Sequence, residues 1–238
     1  MINEIIQRAE RLCYAVAGRD LGDTPLYVVR QSTLPDGQFA GQHHYAITTP
    51  SLDIYLRDYI PDYLGRGPCM LINDLALAGD YEPEDLEFVV PALVLHELAH
   101  ILDRPALFED RTGVAPNKLL FESLVVADAT KRPVRSDLPA YYGHEASFIR
   151  IAVHLCHRAS LAGVHIAPTA ICAGRRYRLS HASEYREALG DEPQRCVGMM
   201  FRDIAATDPP LAFRTLRAYD SVTYHDRLRS HHLKGVSR

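Results

Sequence analysis

Apolar residues recur at helical spacing from Ile2 to Val16, at Ile2, Ile5, Ile6, Ala9, Leu12, Cys13 and Val16. A helix over residues 2–17 is expected, with Gly18 as its stop. Shorter runs follow. "PLYVVRQS" (25–32), "HHYAIT" (43–48) and "PCMLIND" (68–74) are β-rich and separated by turn residues, so they predict three strands of one small sheet. "EPEDLEFVVPALVLHELAHILDRP" then returns to a helical pattern, with acidic residues at its start as a helix N-terminus favours. Pro91 either begins a second helix there or kinks the first, and Pro105 marks the end.

Two further helices are expected, over 115–131 and over about 144–162. Beyond Gly163 the pattern breaks into short helical pieces near Ser183–Leu189, Pro193–Ala206 and Pro209–Tyr219. The plan predicted is α+β: a core over residues 1–162 with a small sheet, then a mostly helical C-terminal extension over 163–238.

Composition narrows this little. Hydrophobic residues make up 47% of 238 residues, enough for a buried core, and the net charge of −4 selects no partner. Residues 211–238 hold six Lys or Arg against two Asp, with His225, His231 and His232 among them. A basic tail of this kind can touch nucleic acid, although a solvated terminus is the simpler account. The five cysteines are odd in number and form no CxxC pair, which argues against a disulfide framework or a cysteine zinc finger. Charges interrupt the first twenty residues, and no apolar run reaches the length of a membrane span. A cytoplasmic protein without membrane association is the expectation.

Within "LVLHELAHIL" (93–102), two histidines and a glutamate sit in an otherwise apolar helix. Such groups are costly to bury without a partner. Residues i and i+4 stand about 6 Å apart along a helix and about 40° round it, so His96 and His100 can share one divalent ion. Glu97, about 100° round from His96, can reach a water on that ion without ligating it. Val94, Leu98, Ile101 and Leu102 cover the opposite side.

A catalytic zinc takes three protein ligands and leaves a position for water. Asp103 shares the helical face but is short and a turn farther on, which suits an orienter of a ligand histidine or a plain helix-terminal residue. Glu122, in "LLFESLVVAD", and His144, in "YYGHEASFI", both follow the motif on later helices. His144 opens a helix whose Phe148, Ile151 and Leu155 face inward.

"VLHELAHIL" resembles the active-site helix of the zincin metallopeptidases, and "GHEASFIRIAVHL" is similar to the segment that supplies the third histidine in SprT-like and related small zincins. The resemblance covers about thirty residues. It implies a zincin-like core with the sheet packed on the active-site helix, Zn²⁺ held by His96, His100 and His144, and Glu97 as general base. Phe148 would be the aromatic that anchors the third-ligand helix. The chain departs from that pattern at Glu145, where glycine is common, in the 44-residue gap from His100 to His144, and in lacking the cysteine finger. In the gluzincin alternative Glu122 completes the site, but position 126 is Val where that pattern has Asp. The metzincin pattern fails at Asp103 and Ala106.

The implied activity is metal-assisted hydrolysis of peptide bonds, with a protein or peptide as substrate. A metal-stabilised binding or regulatory module without turnover is the alternative. His154 and His157 lie on other faces of the His144 helix, and His165 and His181 are expected in loops or caps. Tyr141 and Tyr142 could offer a phenol to an oxyanion, though aromatics flanking a turn usually pack.

Overall fold

The computed structural model describes residues 1–23, 25–35, 44–49, 52–65, 67–103, 146–171 and 179–219. Within these the protein is α+β and mostly helical, with one small mixed sheet. Helix α1 (Ile2–Leu21) buries Ile5, Ile6, Ala9, Leu12, Cys13 and Val16, the stripe its periodicity predicts. It runs past Gly18. Ala17 leaves helical geometry (φ −142°, ψ 16°), and the chain resumes for one more turn. The terminator is Gly22, whose φ of 58° costs a residue without Cβ nothing and whose N–H bonds the Gly18 carbonyl.

The three strands are β1 (Tyr27–Arg30), β2 (Ala46–Thr48) and β3 (Cys69–Ile72), in the order β1-β3-β2. β3 pairs parallel with β1, Tyr27 opposite Cys69, and antiparallel with β2, Thr48 opposite Met70. All four residues of β3 are buried because both faces are covered. Met70 and Ile72 join the main core, while Cys69 and Leu71 join a second cluster with Tyr27, Val29, Leu34, Leu52, Leu56 and Ile60. A strand between two cores has no polar face, which accounts for the unbroken "CMLI". That second cluster includes two residues of α2 (Leu52–Leu56), a short helix the periodicity does not reveal.

Helix α3 (Asp74–Asp80) starts immediately after β3, where the Asn73 side chain accepts a hydrogen bond from the Ala76 N–H at 3.0 Å. The stretch expected to end a strand therefore caps a helix. Next comes α4 (Pro83–Asp103), a single helix with Pro91 inside it rather than two helices meeting there. Proline removes one backbone bond, and burial of most of the helix from Val90 to Leu102 offsets that loss. α1 and α4 pack along one another, tied at the surface by Arg8 and both carboxylate oxygens of Glu87.

Helix α5 (Ala146–Leu161) crosses the same core. It is followed by α6 (Pro168–Ile171), α7 (Leu179–Leu189), α8 (Glu192–Arg195), α9 (Phe201–Ala206) and a last helix over 211–219. The helix anticipated over 193–206 is thus two, parted by the turn that contains Gly198. His181 lies within α7 rather than in a loop, whereas His165 is in a connecting segment, its Nδ1 2.9 Å from the Ser160 hydroxyl. Ile171, Tyr185, Leu189, Phe201, Ile204 and Phe213 belong to the same buried cluster as the inner faces of α1, α4 and α5. No helix among the described residues is long and apolar enough to cross a membrane.

Candidate metal centre

His96 and His100 are half-buried on α4, and their Nε2 atoms converge to 3.2 Å. Two nitrogens held about 2.0–2.1 Å from one tetrahedral ion stand about 3.3 Å apart, so the observed separation suits two ligands of a single cation as well as an N–H···N hydrogen bond between the rings. The tautomer of His96 is set by its other nitrogen. Nδ1 bonds the backbone carbonyl of Ile171, and a carbonyl can only accept, so the proton resides on Nδ1. Nε2 of the neutral ring therefore presents its lone pair toward His100. Burial holds the His96 pKa below its ordinary value, an effect the Ile171 carbonyl opposes, and the neutral form is the one that ligates a metal.

Glu97 is only 5% exposed, on the buried flank of the pair. Burial pushes its carboxyl pKa up to about 8, and the nearby backbone of Thr48 on β2 partly counters this. The sheet thus borders the carboxyl: β2 lies beside α4 at the sheet's edge, and β3 fixes β2 through its ladder and a 2.7 Å bond from the Thr48 hydroxyl to the Cys69 carbonyl.

Phe148 closes another side. Its ring centroid lies 5.1 Å from that of His96 and 4.6 Å from that of His100, so one fully buried aromatic touches both imidazoles. This brings the first turn of α5 against the pair. Val94, Leu98, Ile101 and Leu102 are all buried on the remaining sides of α4.

The structure thus brings together His96, Glu97, His100 and Phe148. Asp103 is half-buried at the last described position of α4. His144, Glu122, Tyr141 and Tyr142 lie outside the described residues, and among the described residues no third His, Cys, Asp or Glu joins the pair to form a metal-binding group. His154 does turn elsewhere: its Nε2 donates to Glu192 Oε1 at 2.9 Å. A cleft of about 390 Å³ at the kink of α1 is lined by residues such as Tyr14, Asp20, Arg158 and Val197, and neither histidine of the pair borders it.

Two neighbours have no counterpart in the sequence reading, the Ile171 carbonyl bonded to His96 and the Thr48 backbone near Glu97. Both are backbone groups, which every residue carries, so no residue type could have signalled them. No protein-family model, curated protein or solved structure matches this chain.

Proposed function

We propose that the protein is a zinc-dependent metallopeptidase whose core is zincin-like, with His96 and His100 as ligands and Glu97 as general base. The observation that carries this reading is the convergence of the two Nε2 atoms at 3.2 Å, with the His96 proton held away on Nδ1. A shared proton could also bridge two imidazoles, but a half-buried pair of neutral imidazoles supplies nitrogen donors that divalent zinc favours, with a carboxyl beside them to act as base.

A bound Zn²⁺ supplies Lewis acidity, lowering the pKa of a water toward about 7 and polarising a carbonyl. The chain supplies the rest. A carboxyl whose pKa stands near 8 is protonated at neutral pH, and a nearby dication favours its ionised form, so metal binding readies Glu97 to accept a proton. Glu97 takes that proton from the attacking water and delivers it to the leaving amine. The apolar walls from α4 and Phe148 exclude bulk water, which strengthens these interactions.

His144 is our choice of third ligand. Phe148 seats the first turn of α5 against both rings, and residue 144 is tethered within about 7 Å of Ala146 by chain length alone. Glu122 has no such tether. Glu97→Gln should keep stoichiometric zinc yet lose at least about 100-fold in hydrolysis of an unfolded protein substrate; activity equal to wild type would refute the assigned base. His144→Ala should strip zinc far more than His154→Ala, measured by metal analysis of purified protein. Loss on Glu122→Ala instead would transfer the third-ligand role to Glu122.

A second reading is a metal-stabilised binding or regulatory module. One observation favours it: Glu97 is buried, which favours its neutral form. Stoichiometric zinc without cleavage of any unfolded protein would select it over the peptidase.

A further inference from the structure

We infer that the C-terminal segment is a working part of the metal centre: through the Ile171 carbonyl, α6 holds His96 in the Nδ1–H tautomer and so sets the metal affinity of the pair. This rests on the metal-site reading above, but concerns a residue 75 positions away from His96 in sequence. Neutral imidazole divides between two tautomers, and only the one with its proton on Nδ1 offers an Nε2 lone pair to an ion lying between His96 and His100. An acceptor fixed at Nδ1 removes the competing tautomer and also locks the ring's rotation. Outer contacts of this kind typically govern metal affinity by about 10–100-fold.

The acceptor is held from several directions. Ile171 is fully buried in the main core, and the four-residue α6 packs against α4, α5 and α7. The chain beyond it is anchored in turn. On α5, Arg150 donates from Nε to Glu192 Oε1 at 2.8 Å and from its two terminal nitrogens to the carbonyl and hydroxyl of Thr207. Arg158, near the end of α5, donates to the carbonyls of Val16 and Met199. The Ile171 carbonyl itself is held by the packing of α6 on the helices that carry the histidines and Phe148.

The test uses the full-length protein. In the metal-free chain, imidazole ¹⁵N spectra should show the His96 proton on Nδ1. His154 is the internal contrast, because its Nε2 donates to Glu192 and puts its proton on the opposite nitrogen. A His96 proton on Nε2 would overturn the inference. Zn²⁺ affinity, measured against a chromophoric chelator, should fall about 10–100-fold when the amide between residues 171 and 172 is replaced by an ester. An ester carbonyl is a weaker acceptor, and the exchange leaves the Ile171 side chain in place. Ile171→Ala should act in the same direction, with circular dichroism to check the fold, while Leu211→Ala, at an exposed position, should leave affinity unchanged. Unaltered zinc affinity in the ester variant would overturn the inference with the metal site intact. A wild-type chain that binds no zinc would instead sink the function proposed above, and the tautomer assignment would still be decided by the ¹⁵N spectra.

Discussion

At Gly67 the backbone carries the chain into β3 with φ 117°, and a Cβ there would stand 2.2 Å from the Pro25 carbonyl oxygen and 3.2 Å from the Tyr27 ring. Neither neighbour can yield cheaply, because the Pro68 carbonyl beside it accepts the Tyr27 N–H that opens β1. Gly67→Ala should therefore cost more than about 2 kcal/mol in urea unfolding, combining a positive φ with a steric collision. An unchanged midpoint would show that the β1–β3 entry is not as tight as described. His154 shows the opposite kind of constraint, a titratable group sealed in the core. It is fully buried, faces Glu192, Arg150, Arg158 and the ring of Phe201, and burial is the main reason its pKa lies below the ordinary value of 6.5. Below pH 6.5 the unfolded chain takes up a proton that the folded ring resists, so this group's contribution to stability falls as pH drops toward its depressed pKa, by at most about 1.4 kcal/mol per pH unit. His154→Gln can still donate to Glu192 and should lessen the loss of stability between pH 7 and 5. An unaltered pH slope would show that His154 does not contribute.

Among the elements, α5 carries the most chemistry per turn. Phe148 walls the imidazoles, Arg150 and His154 meet at Glu192, and Arg158 reaches α1 and the turn before α9. Phe148→Ala should cost about 3–5 kcal/mol, as removal of a fully buried aromatic does, and a variant as stable as wild type would mean the ring is not wedged as described. Why some elements are legible and others not follows from their length and packing. α1, α4 and α5 repeat their apolar spacing over four or more turns, and the His96–His100 pairing holds because i and i+4 share a face wherever the helix is packed. α6 and α8 span four residues each, too short for a period to register. α3 carried a readable signal, since Asn73 followed by Asp74 is a capping sequence, but the apolar "CMLI" before it invites reading the pair as strand. Pro91 misleads in the other direction, because burial along α4 outweighs the single backbone bond it removes. In the site itself, His96, Glu97, His100 and Phe148 were readable because side-chain chemistry names them, whereas Thr48 and Ile171 act through atoms that all residues share.

Across the whole molecule, the sheet and the C-terminal helices approach α4 from different elements: β2 borders Glu97, and α6 gives a backbone carbonyl to His96. β3 ties this arrangement together, since its alternate side chains serve two separate clusters. Sliding that strand by a single residue would exchange Met70 and Ile72 for Cys69 and Leu71 on both sides at once, so misregistration is penalised twice over. A party wall of this kind also leaves neither chamber able to melt while the other stands. The Tyr27 N–H, bonded to the Pro68 carbonyl at that wall, should keep its hydrogen-exchange protection until the molecule unfolds as a whole.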